Sequence, residues 1–97
     1  MVRQLINDNY NPAANQFVIT TKKATYFQSY STVIAKIDNK NNLILSSWWD
    51  YSRTTMKHLY IFMRDYGFGK YCGADNVRKA IKNGDIVMKK QTSLTIS

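Results

Sequence analysis

Glutamate is missing from this chain, and cysteine, histidine and proline occur once each, as Cys72, His58 and Pro12. A single cysteine excludes an internal disulfide and any multi-cysteine zinc site. Cys72 and His58 lie fourteen residues apart across a glycine-rich turn. A nucleophilic pair needs its two side chains in hydrogen-bond reach, so their co-occurrence reads as chance. Cys72 is expected to act as a small buried hydrophobe and His58 to face solvent. No apolar run approaches the roughly 20 residues that span a bilayer. The N-terminal MVRQLINDNYNP lacks the apolar core of a secretory signal, so a cytosolic location is expected.

The shortage of acids matters most. Six carboxylates, all aspartate, face fourteen Lys and Arg, for a net charge of +8. Residues 1–52 carry five basic and three acidic side chains, whereas residues 53–97 carry nine and three. A domain this basic favours a polyanionic partner, through release of the counterions condensed on phosphates. Asp38-Asn39-Lys40 matches half of a nuclease metal site, but the second acid such a site needs is absent nearby, and an aspartate is expected in a turn. Gly67-Phe68-Gly69-Lys70 follows a helical pattern, whereas a phosphate loop follows a strand and opens a helix. No catalytic residue, metal or cofactor is expected. The chain reads as a non-enzymatic binding module.

What is present is enough for one small core. A chain of 97 residues, 44% hydrophobic, is expected to fold as a single domain, 1–97, with flexible ends at 1–15 and 91–97. Met1–Ile6 is a candidate edge strand, and the asparagine-rich segment around Pro12, Asp8–Asn15, reads as a loop. Phe17–Thr21, Ala24–Tyr30, Thr32–Asp38 and Leu43–Trp49 read as strands of a meander, with Val33, Ala35 and Ile37 on one face. Trp48 and Trp49 would point to opposite faces, one into the core and the other onto the second face, under a loop, a partner or solvent; an exposed one would suit a protein partner.

Asp50 or Ser52 can cap a helix starting near Arg53, whose apolar face is Met56, Leu59, Tyr60, Met63 and Tyr66. Asp75 can cap a second helix, Asn76–Lys82, ended by Asn83-Gly84, before a short strand Ile86–Met88. The expected fold is α+β: an antiparallel sheet of three to five strands covered by one main helix, plus a short C-terminal helix and strand.

Nine basic residues of the second half are candidates for nucleic-acid contact. Arg53, Lys57 and Arg64 form one helical stripe. Lys70 lies among Tyr66, Phe68 and Tyr71, and cations beside exposed rings suit phosphate and base together. Arg78, Lys79 and Lys82 beside Lys89 and Lys90 form the most concentrated patch. The expected partner is DNA, RNA or a nucleoprotein. The competing expectation is a protein-only inhibitor docking through Trp48 or Trp49, and a virion component is the third.

Two strings add a resemblance. Phe27-Gln28-Ser29-Tyr30 with Ile34-Ala35-Lys36-Ile37, then Trp49-Asp50-Tyr51-Ser52-Arg53-Thr54-Thr55 with Lys57-His58-Leu59, spell FxSYxxxIAxI and WDYSxTTxKHLxxF. Over residues 27–62 this resembles an uncharacterised small domain of phages and prophages of low-GC bacteria. The resemblance implies an accessory protein of phage or mobile-element origin working in a host cytoplasm. Such proteins bind nucleic acid or, as anti-CRISPR proteins do, block a host defence nuclease. The pattern also implies capping by Asp50 and Ser52, and packing of Tyr51 at the strand–helix corner.

Overall fold

The computed structural model describes residues 1–96. Six strands form one sheet: β1 (Val2–Ile6), β2 (Pro12–Thr20), β3 (Ala24–Ser29), β4 (Thr32–Asp38), β5 (Leu43–Ser46) and β6 (Val87–Lys89). Helix α1 (Arg53–Asp65), a 3-10 turn (Gly69–Tyr71) and helix α2 (Ala74–Asn83) are inserted between β5 and β6. The strands lie in chain order across the sheet. The first four pairings are antiparallel and β5–β6 is parallel. The architecture is therefore α+β, but the sheet is six-stranded and mixed, not antiparallel with three to five strands. The helical connection carries the chain back to the end from which β5 started, so β6 can only add in parallel.

The N-terminal segment is where the expected loop gives way to sheet. β1 does form, and β2 begins at Pro12 rather than Phe17; a proline is tolerated at the first position of a strand. Between Gln4–Phe17 and Ile6–Pro12 the register slips, two steps along β1 matching five along β2. Asn15 sits there at φ +63°. That irregularity breaks the period-2 alternation by which a strand is recognised.

A second bulge lies between Phe27–Ala35 and Gln28–Val33. It changes which side chains share a face. Ile34, Ala35 and Ile37 join the helix-side core, while Val33 packs on the opposite side with Ala24, Tyr26 and Leu94. Val33 therefore does not share the expected face with Ala35 and Ile37. The β4–β5 turn is closed by Asp38. Asp38 accepts from the N–H groups of Lys40 and Asn42, and the Asn42 bond foremost holds its carboxyl below the ordinary 3.8.

Ser52 is the N-cap of α1, its Oγ accepting from Thr55 N–H at 3.1 Å. Asp50 takes no part in the cap and stands 3.6 Å from Arg78 instead. Leu59, Phe62 and Met63 of α1 are buried against the sheet, with the Tyr66 ring tilted at 42° against Phe62; Ile61 is buried on another side of the helix. α2 starts from Gly73, at φ +101°, and not from an Asp75 cap; it ends at Gly84, whose φ of +84° is a left-handed cap that glycine adopts without strain. Val77 and Ala80 of α2 enter the same core as α1, so both helices cover one face of the sheet. No described helix is long and apolar enough to cross a membrane.

The C-terminal tail is anchored where fraying is expected. Leu94 N–H donates to Val33 O at 2.9 Å, and Ser93 Oγ accepts from Val33 N–H at 2.8 Å. Leu94 is buried against Ala24, Tyr26 and Val33 on the face that carries no helix. Ser97 lies outside the described residues. Truncating Leu94 to alanine is expected to cost about 2 kcal/mol, read as a lower urea midpoint at unchanged slope.

Gln16 is the opposite case. It stands across from Ser29, on the α1 side, with no exposed surface and no hydrogen-bond partner for either amide atom among the described residues. Burying an unpaired amide costs about 1–3 kcal/mol. Gln16→Met, which keeps the shape and removes the polar atoms, is expected to stabilise the domain by about 1–3 kcal/mol in urea unfolding.

Candidate nucleic-acid interface

Helical spacing gathers the first candidates. Arg53, Lys57, Tyr60, Ile61 and Arg64 follow one another at steps of four, three, one and three, so they share one side of α1. The 3-10 turn and the start of α2 stand opposite, presenting Gly69, Cys72 and Ala74. Between these walls runs an open groove of about 600 Å³. That is the size of an ordinary small-molecule site, ~300–1,000 Å³.

The floor is uncharged. Met56, Tyr60, Ile61 and Cys72 line it, and Cys72 Sγ–H donates to the Tyr60 carbonyl at 3.5 Å. Burial pushes the Tyr60 phenol and the Cys72 thiol above their ordinary 10.0 and 9.0, so both are protonated at neutral pH. Cations occupy the rim. Arg64 is neutralised there by Asp8 at 2.7 Å and by Asp65 at 3.5 Å, and the Asp8 bond raises its already high pKa. Arg53 and Lys57 are exposed and make no ion pair among the described residues. The first turn of α1 also has no acid, so the positive end of the helix dipole is unopposed beside them.

The remaining candidates lie outside the groove. Lys70 sits on the 3-10 turn with Nζ 5.0 Å from the Tyr71 ring. Arg78 lies 3.6 Å from both Asp50 and Asp75, with its guanidinium 5.5 Å from the Trp49 ring. It ties α2 to the β5–α1 connection, and two carboxylates offset its charge. Lys79 and Lys82 are exposed on α2, Lys89 on β6 and Lys90 just after it. The interleaved rings turn inward: Phe68 is buried, Tyr66 packs on Phe62, and Tyr71 packs against the core.

The two tryptophans separate, though not by strand alternation. β5 ends at Ser46, before either of them, and the chain turns. Trp49 is 3% exposed and belongs to the core, so it presents nothing to a partner. Trp48 is 39% exposed and stacks on Tyr51, itself 67% exposed, with ring centroids 4.3 Å apart and planes within 3°. Beside this pair is a second recess of about 160 Å³, reaching Ser29, Tyr30 and Thr32 of the β3–β4 hairpin. Its wall is braced by hydroxyls: Ser29 Oγ lies 3.2 Å from Thr55 Oγ1, which accepts from Ser52 Oγ at 3.1 Å.

Tyr30 and Tyr51 escape a reading of the sequence as binding residues. The available signal is that FxSY and WDYSxTT both place a tyrosine beside a small hydroxyl residue, and the fold brings the two strings together.

A family model described as a family of unknown function, DUF8033, matches residues 1–83. The match includes β1 to β5, both helices and all residues of the two recesses, and stops before β6. No curated protein and no solved structure matches the chain.

Proposed function

The chain belongs to the DUF8033 family, of unknown function, and we propose that it is a small non-enzymatic module that binds nucleic acid along the groove between α1 and α2. One observation carries this reading: unpaired Arg53 and Lys57 stand over an uncharged, partly aromatic floor. Cations next to a ring-sized apolar surface match a ligand that alternates phosphates with flat bases. The net charge of +8 draws such a polyanion from a distance. The resemblance of residues 27–62 to a phage and prophage domain supports a setting in the host cytoplasm. The ligand there is nucleic acid, free or within a host nucleoprotein such as a defence complex that the module would block.

The test is a salt titration of binding to labelled DNA and RNA oligonucleotides, read by fluorescence anisotropy. The association constant is expected to fall log-linearly with salt, at ~0.7–0.9 per phosphate contacted. Absence of binding to every oligonucleotide at low salt would end the reading.

A further inference from the structure

The Trp48–Tyr51 stack is exposed and outside both core clusters, and it precedes the groove-lining Arg53 by only two residues in the chain. We propose that the module takes its nucleic acid single-stranded, with one base on the Trp48–Tyr51 platform and the adjoining phosphate on Arg53 and Lys57. The proposal rests on the nucleic-acid reading of the groove and deepens it.

Tyr51 and Arg53 are two residues apart, so their Cα atoms lie within about 7 Å. Ser52, between them, lines the aromatic recess, while Arg53 lines the groove. The start of α1 thus places Arg53 between the aromatic recess and the groove, with Lys57 one turn further along the groove side. The recess of about 160 Å³ is comparable with apolar cavities of ~150 Å³ that hold benzene.

Charge complementarity selects the occupant. Among the described residues no acid lines the aromatic recess, and the only one lining the groove, Asp8, is occupied by Arg64. Duplex DNA presents base edges at the bottom of its major groove, where a projecting helix reaches them. Here the cationic side of α1 faces the 3-10 turn and the start of α2 across a groove, so it does not project. A base enters such recesses only when it is unstacked from its neighbours, as in single strands.

The experiment compares single-stranded DNA and RNA with a hairpin duplex of equal phosphate number, using the full chain and the variants Tyr51→Ala, Trp48→Ala and Trp48→Phe. Tyr51 is largely exposed, so its truncation leaves the fold intact, which thermal unfolding verifies. Tyr51→Ala and Trp48→Ala are each expected to weaken single-strand binding about tenfold at an unchanged salt slope. Trp48→Phe, which keeps a ring, is expected to lose less. The duplex is expected to bind more weakly and to be insensitive to all three. If Tyr51→Ala and Trp48→Ala bind the single strands as tightly as the parent, or the duplex binds at least as well, the platform proposal is overturned. The groove reading then survives. If no oligonucleotide binds, both fall.

Discussion

Reversing Arg53 and Lys57 together, as Arg53→Glu and Lys57→Glu, is expected to weaken single-strand binding by roughly a hundredfold at ~50 mM salt. Each phosphate contact contributes ~0.7 to the log–log salt slope, so loss of two contacts lowers the slope by ~1.4 and the affinity by nearly two decades at that salt. The control is built into the site. Both side chains are exposed and unpaired, so neither leaves a buried charge behind. Glutamates in the first turns of α1 also face the positive end of its dipole, which has no acid at present. Unfolding should therefore be unchanged or slightly harder, while binding falls. A double variant that keeps both affinity and slope would remove the groove from consideration. Reversing Lys79 and Lys82 instead should cost less, because those charges lie outside it.

The second large effect concerns the core. Phe62→Ala is expected to destabilise the domain by about 3–5 kcal/mol. Phe62 has no exposed surface and lies 5.7 Å from the Phe27 ring and 5.0 Å from that of Tyr66. It therefore couples α1 to the centre of the sheet. A domain of this size holds about 5–15 kcal/mol in total, so the loss takes up a large part of that margin. At about 4–8 °C per kcal/mol, calorimetry should show Tm falling by at least 12 °C. A drop of only a few degrees would mean that the neighbouring side chains close over the space.

The same helix shows why binding and folding can be altered separately. Leu59, Phe62 and Met63 face the sheet, while Arg53, Lys57 and Arg64 face the groove. Tyr60 and Met56 lie between the two sides, only partly buried. They read as core in the sequence because an apolar residue at helical spacing looks alike whether a sheet or a ligand groove covers it. The basic stripe was legible from spacing, whereas the wall opposite it was not. Gly69, Cys72 and Ala74 reach the groove only through the path of the chain after α1.

By itself, the sequence determined the local elements whose signals are short-range: the helix from Arg53, with its cap left open between Asp50 and Ser52, the Asp38 turn, β3, β4, and a β5 read three residues too long. It also determined the net charge of +8. The tertiary structure decided everything that depends on two distant segments meeting. Asp50 and Asp75 converge on Arg78 and leave Arg53 and Lys57 unpaired. A bulge sends Val33 to the far face, where Leu94 covers it. β5 ends at Ser46, three residues before the expected Trp49, so Trp49 enters the core and Trp48 stacks on Tyr51 instead of alternating with Trp49 along a strand. Helix and turn propensities act within a few residues and can be read along the chain. Which cation is neutralised and which ring stays exposed depends on groups brought together from far along it.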